Sequence, residues 1–386
     1  MTRDDSDDEV KAAKARRTAA VRACGRVLTG APGPTLGGLV EQLARDAADA
    51  GVDLEGRPDT YGDGVVEELE TRVAGLLGTA GAAFFPTGTM AQQVSLRIWA
   101  ARTGSDTVAL HPMAHPEVHE RGALSVLGGL RTVHPVKAPR QPTAGDVRDV
   151  AEPFGTLMLE LPLRDAGFLL PSWEELREVV AAARERDAVV HFDGARLWEC
   201  TPHFGRALSE IADLADSVYV SFYKSLNGIS GAALAGPADF VVEAKAWRHR
   251  YGGMLYRQFP TVLAALAGLN RELPRLPSYV AHAKTVARAL REGLAEAGVP
   301  LARVHPQEPH THQFQLWLAV AAKDLDAAAL EQAEQTGTSL FGAASFWEPG
   351  LPGLSMTEIT VAGPALEWTE ADIRAAAADF AGRLAL

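Results

Sequence analysis

Asp216-Ser217-Val218-Tyr219-Val220-Ser221-Phe222-Tyr223-Lys224-Ser225-Leu226-Asn227-Gly228 is a short apolar run that ends on one lysine and then a loop. Val218, Tyr219, Val220 and Phe222 are β-branched or aromatic, the types that fill a buried strand. Lys224 follows almost at once, and Ser225, Asn227, Gly228, Ser230 and Gly231 come after it. A lysine at the end of a buried strand must have its charge desolvated or paired. Desolvation lowers its pKa and frees the neutral amine to act as a nucleophile or Schiff-base former. The plainer alternative is a lysine that lays its stem along the strand end and keeps its charge in water.

Two other strand ends carry chemistry of a matching kind. In His191-Phe192-Asp193-Gly194-Ala195-Arg196 an acid stands where an apolar run stops, with an arginine three residues on. If exposed, the two form a structural pair worth little. If buried in a cleft, the acid can keep a ring nitrogen protonated and the arginine can clamp a carboxylate with two hydrogen bonds. Residues 82–86 read as a short strand, and Thr87-Gly88-Thr89-Met90-Ala91-Gln92 opens a helix after it. Glycine lets a ligand approach the backbone, and the first amides of a helix are free donors. With two threonine hydroxyls this is a phosphate cradle; the plainer reading is a threonine-capped turn.

From about residue 107 to 235 strands alternate with helices, with strands predicted at 107–110, 156–161, 188–192, 217–222 and 232–235 and a helix at 172–186. This alternation predicts an α/β fold with a mainly parallel sheet covered by helices. Ligands then sit beyond the carboxyl ends of the strands. Thr87, His115, Asp193 and Lys224 all fall shortly after a predicted strand, so they can converge.

The chain has 386 residues, 47% of them hydrophobic, enough for a large core and two domains. Its formal net charge of -12 argues against a nucleic-acid partner. The two cysteines, Cys24 and Cys200, form no CxxC pair, which fits a reducing cytoplasm. The opening MTRDDSDDEVKAAKARR lacks the apolar core of a signal peptide, and no apolar run is long enough to span a membrane. We expect a tail and helices over 1–50, a large domain over 51–268 and a smaller α+β domain over 269–386. Within these, 25–36 reads as a loop, 36–50 as a helix, 59–64 as a turn and 65–78 as a helix with Val66, Leu69, Val73, Leu76 and Leu77 on one face. Pro274 and Pro277 break a largely helical stretch, 262–299. Residues 313–318 alternate as a half-buried strand does, and Thr369 with Asp372 forms a capping box for the last helix. His310 and His312 could share a strand face, but no third ligand has suitable spacing and no metal site is expected. His111, His119 and His134 line a cavity or satisfy local hydrogen bonds; His119 is the one near His115 in sequence.

Six stretches together resemble the threonine aldolase and β-eliminating lyase family of fold-type I pyridoxal-phosphate enzymes. They are Tyr61-Gly62-Asp63, FFPTGTMAQQ (84–93), AHPEVHERGA (114–123), HFDGARLW (191–198), SFYKSLNG (221–228) and RYGGMLYRQ (250–258). Each is weak alone, but they stand in the family's order and spacing. The resemblance implies an aminotransferase-like large domain that binds pyridoxal 5'-phosphate, with a small C-terminal domain. It implies that Lys224 carries the cofactor, Asp193 pairs with its ring nitrogen and His115 stacks on its ring. Thr87, Gly88 and Thr89 would hold the phosphate, and Arg196 would meet the substrate carboxylate. Arg250 and Arg257 look like the basic pair that reaches the phosphate of a neighbouring subunit, so a homodimer or homotetramer is expected.

The implied activity is that of a lyase cleaving a β-hydroxy or other β-substituted amino acid. β-Elimination, transfer of a glycine unit and a non-catalytic, cofactor-binding dimer are the alternatives. Three departures bear on the substrate. The family's opening Arg-Ser-Asp-Thr stretch is absent, and residues 22–36 read RACGRVLTGAPGPTL. The family's Glu-Asn-Thr-His-Asn stretch is replaced by Glu160-Leu161-Pro162-Leu163-Arg164, without the histidine. A C-terminal arginine has no counterpart in Met356-Thr357-Glu358-Ile359-Thr360.

Overall fold

The computed structural model describes residues 3–30 and 34–384. In chain order its strands are β1 (Arg26–Val27), β2 (Gly81–Phe85), β3 (Thr107–Ala109), β4 (Arg131–Val133), β5 (Thr156–Glu160), β6 (Val189–Gly194) and β7 (Ser217–Ser221). They continue with β8 (Ala232–Gly236), β9 (Arg303–His305), β10 (Gln313–Leu318), β11 (Thr338–Ser339), β12 (Glu348–Pro349) and β13 (Ser355–Thr360). The chain divides into two units, Gly37–Leu276 and Met1–Leu36 with Pro277–Leu386.

The first unit is built on a seven-stranded sheet in the order β2-β8-β7-β6-β5-β3-β4. Strands β4, β3, β5, β6 and β7 run parallel, and β8 is antiparallel to both β7 and β2. The mainly parallel sheet is as expected, with one reversed strand near the edge. β5 and β7 are buried along their whole length, which is why they read as continuous apolar runs and not as alternating ones. β4 escaped the sequence reading: it is three residues long, at the edge and partly exposed.

Because β8 reverses and β2 reverses again, the carboxyl end of β2 emerges on the same side as those of β5, β6 and β7. The helix Gly88–Thr103 leaves β2 at that end. Its Ala91, Val94, Ile98 and Trp99 pack with Tyr219, Leu234 and Phe240 in one apolar cluster. The helix Val65–Leu77 buries Val66, Leu69, Val73 and Leu77 as its spacing predicts, with Leu76 only half-buried, and it stops at Gly78, whose φ of 66° suits a residue without a Cβ. The stretch 262–299 resolves into helices Phe259–Arg271 and Leu276–Glu296 around a short 3-10 turn with Pro274 in it.

The second unit contains a four-stranded antiparallel sheet, β12-β13-β10-β9, and the short parallel pair β1–β11. Its core joins Phe314, Leu316 and Leu318 of β10 to Ile359, Ile373, Ala377 and Phe380. β1 lies in the segment read as a loop; two residues give no periodic signal. The helix Arg3–Ala23 is tied to Ala322–Thr336 by Arg17, buried and 2.6 Å from Asp326. The last helix, Glu370–Ala381, begins with the expected capping box: the Asp372 amide donates to Thr369 Oγ1 (3.2 Å) and the Thr369 amide donates to Asp372 Oδ2 (2.9 Å).

Candidate active site

Beyond the carboxyl ends of β2, β6 and β7 lies an open cleft. Thr87, Gly88, Thr89, His115, Asp193 and Lys224 all line it. Six residues spread over 138 positions of sequence are thus brought to one place by the parallel topology.

Lys224 stands three residues past β7, where the chain turns through Asn227 at a φ of 55°. Burial pulls its ammonium down to a pKa of about 8, Arg196 pushes in the same direction, and the carboxylates of Asp193 and Glu160 oppose them. About a tenth of the amine is then free at pH 7, against less than about a thousandth for an ordinary lysine. Asp193 ends β6 almost fully buried, with Oδ1 accepting the Ala195 amide at 3.1 Å. Burial raises its pKa, and the charges of Lys224 and His115 act against that. An acid so placed is stabilised as a carboxylate by a partner that donates a hydrogen bond or brings positive charge.

Glu160, noted in sequence only as the start of the altered stretch 160–164 and given no role, is the register partner of Asp193 on the adjacent strand. Two buried carboxylates side by side resist joint ionisation, and burial followed by Asp193 lifts Glu160 to about 7. Its oxygens accept the backbone amides of His115 (2.7 Å) and Arg164 (3.1 Å), so it positions the start of the helix His115–Val118. The His115 ring is held by Glu120, with Nδ1 3.2 Å from Oε1. That bond to Glu120 raises the His115 pKa. Gln93 Nε2 donates to the other oxygen of Glu120 at 3.1 Å.

At the head of the helix Gly88–Thr103, Thr87 Oγ1 accepts the Met90 amide at 3.2 Å. The amides of the first turn lack acceptors within a helix. A Cβ on residue 88 would lie 2.1 Å from the Tyr219 hydroxyl, so only glycine fits between helix and strand. Gln92 lines the same cleft: its Oε1 accepts from His191 Nε2 at 2.8 Å, and its buried Nε2 has no hydrogen-bond partner among the described residues. His191 is itself fixed by the hydroxyls of Ser95 and Ser217 at Nδ1, and burial holds it neutral with a pKa near 3. This network aims an amide donor into the cleft. No motif announced it, because its members come from three separate elements.

The remaining predicted site residues lie apart from the cleft lining. Arg196 rests over the Phe168 ring, 5.3 Å from its centroid, with a buried, unpartnered Nε. Arg250 packs on Trp247 at 4.5 Å. Arg257 packs on Tyr256 at 4.2 Å and donates to Thr60 Oγ1 (2.7 Å) and the Asp59 carbonyl. His119 bonds to Asp165 at 2.8 Å. His312 donates to the Val361 carbonyl at 2.6 Å. No cluster of three or more His, Cys, Asp or Glu that could hold a metal is found among the described residues.

These residues fit pyridoxal phosphate on three counts of this structure. A depressed-pKa amine faces a buried carboxylate, a glycine stands where any Cβ would intrude, and a buried amide donor lacks a partner. Comparison with known proteins agrees. A family model described as "Beta-eliminating lyase" matches residues 44–316. The low specificity L-threonine aldolase of Escherichia coli (strain K12) is 30% identical over 246 residues, which is 62% of this chain and 73% of that protein. The crystal structure of a candidate L-allo-threonine aldolase from Listeria monocytogenes EGD-E superposes with a TM-score of 0.87 at 32% identity, covering 96% of this chain and 100% of that one. A candidate aromatic amino acid β-eliminating lyase/threonine aldolase from Exiguobacterium sp. 255-15 gives 0.86 at 34% identity with the same coverage.

Proposed function

From the premise that the chain belongs to the β-eliminating lyase family, we propose that it is a pyridoxal-phosphate-dependent lyase that cleaves the Cα–Cβ bond of a β-hydroxy amino acid. The observation that carries this reading is Lys224, its pKa lowered to about 8, sharing one cleft with buried Asp193 and the Thr87-Gly88-Thr89 helix start. When bound, pyridoxal phosphate supplies an electron sink for the pair released at the substrate Cα. Lys224 holds the cofactor and moves protons at that carbon. Asp193 would accept the ring N–H, His115 would lie against the ring, and the amides and hydroxyls of Thr87, Gly88 and Thr89 with Gln92 Nε2 would hold the phosphate. Arg196 binds the substrate carboxylate. Arg250 and Arg257 serve the cleft of a neighbouring subunit in a homodimer or homotetramer. The free thiols of Cys24 and Cys200 support a reducing, cytoplasmic setting.

The test is a substrate panel on the cofactor-loaded protein. L-Threonine, L-allo-threonine and phenylserine should release glycine and the matching aldehyde. Leu163 stands where the family carries its hydroxyl-assisting histidine, so threonine should be cleaved slowly and a bulkier substrate such as phenylserine faster. Ammonia with 2-oxobutyrate or phenylpyruvate, instead of glycine and aldehyde, would replace cleavage by β-elimination. Borohydride reduction followed by peptide mapping should place the cofactor on Lys224; a label on Lys245, or none, would overturn the assignment.

A further inference from the structure

Hydroxyls, amides and charged groups make up most of the cleft lining. Ala195 and Tyr219 add apolar surface, but they are 8% and 3% exposed, so the fold itself already covers them. Tyr223 is different: it lines the same cleft and is 44% exposed. A large ring left in water inside a concave site gains from whatever ligand covers it. The ring also faces the reacting atom. Lys224 Nζ stands over the Tyr223 ring, 5.8 Å from its centroid. Pairing with the ammonium is a weak reason for a ring at this place. The distance is at the outer limit of a cation–π contact, about 6 Å, and burial draws Lys224 toward its free amine.

A substrate amine that exchanges with Lys224 comes to the place that Nζ now holds. Its Cβ then lies about 2.5 Å from that nitrogen, and a ring carried on Cβ has its centre about 5 Å away. Aromatic rings pair best with centroids about 4.5–7 Å apart. A phenyl group on Cβ that leans toward Tyr223 reaches this range, whereas a methyl group covers little of the ring. We propose that Tyr223 is the specificity-determining residue for the substituent on Cβ, favouring an aromatic ring over a methyl group. The assignment rests on the reading that Lys224 carries the cofactor. It is separate from the change at Leu163, which bears on the substrate hydroxyl and not on the substituent.

Phenylalanine and 2-aminobutyrate carry the side chains of phenylserine and threonine without the hydroxyl, so they bind without cleavage. Absorbance titration of the cofactor-loaded protein should show phenylalanine binding about tenfold tighter than 2-aminobutyrate. Tyr223→Phe should keep that ratio, Tyr223→Leu should keep part of it, and Tyr223→Ala should abolish it. With cleavable substrates, Tyr223→Ala should raise KM for phenylserine about tenfold and leave kcat, and both constants for threonine, within a few-fold. A wild type without preference between the two ligands overturns the inference, as does an unchanged ratio in Tyr223→Ala or an equal loss for both ligands. Weaker cofactor binding in Tyr223→Ala would put the ring against the cofactor, and a smaller sedimentation coefficient would put it against a second copy; either overturns the assignment. A wild type that prefers phenylalanine but releases no aldehyde from phenylserine supports the Tyr223 contact and overturns the lyase reading alone.

Discussion

Glu160 shows how a single buried carboxyl alters both site and stability. Its pKa in the fold is about 7, against 4.5 for a free side chain, mainly because burial penalises the anion. Between those two pH values the folded protein binds a proton that the unfolded chain has released. The stabilising contribution is therefore fully present below about 4.5 and is lost as pH rises through about 7. In the cofactor-free protein, Glu160→Gln should remove this dependence. Urea unfolding at pH 5 and pH 7.5 should show wild type losing roughly 2–3 kcal/mol more than the variant over that interval. Glu160→Gln also relieves Asp193 of its neighbour's charge, so the difference between the two proteins reports the pair. Parallel losses would mean that Glu160 is already ionised at pH 5.

The element that prepares the cleft is the helix Gly88–Thr103, which begins against β7 with no room for a side chain at its first residue. Gly88→Ala would drive a methyl into the Tyr219 hydroxyl. The helix start must then shift, and overpacking of this kind costs about 1–3 kcal/mol. We expect cofactor affinity, followed by absorbance titration, to fall at least about tenfold, because the displaced amides are the donors at issue. The double variant Gly88→Ala/Tyr219→Phe removes the colliding oxygen and should recover part of the loss. If Gly88→Ala bound cofactor normally, the first turn would not be the phosphate site. The helix was readable from Thr87 and Gly88 in sequence; the need for glycine was not, because the neighbour that demands it lies 131 positions away.

At the scale of the whole molecule, Tyr61 and Tyr256 stack edge to face at 5.3 Å while each stays more than half exposed, and Leu255 beside them is 46% exposed. Exposed apolar surface of this kind, around Arg257, supports an interface with a second copy. If Arg257 serves the neighbour's cleft, two inactive variants should complement. Subunits carrying Lys224→Ala, mixed and reassembled with subunits carrying Arg257→Ala, should regain activity, since one cleft per mixed dimer then has both groups. Sedimentation of the loaded protein should give a dimer or tetramer at low concentration. A fully loaded, active monomer would remove the shared-site reading.

The sequence alone determined the alternation of strands and helices, because buried parallel strands are apolar throughout and their helices carry the 3.6 periodicity. It also determined the residues at the strand ends, since Lys224, Asp193 and the Thr87-Gly88-Thr89 turn are polar or flexible where an apolar run stops. The capping box at Thr369 was legible because both its members lie within one turn. Tertiary structure decided what depends on groups distant in the chain. Glu160 meets Asp193 only through strand register, and Gln92 is aimed by His191, which Ser95 of the same helix and Ser217 of β7 fix. Arg196 rests on the Phe168 ring while its charge acts on Lys224, and neither neighbour is near it in sequence. His119 gains Asp165 across 46 positions. Local sequence encodes which surface a residue can bury; which charge it faces is set only when the sheet brings separate strand ends within a few ångströms.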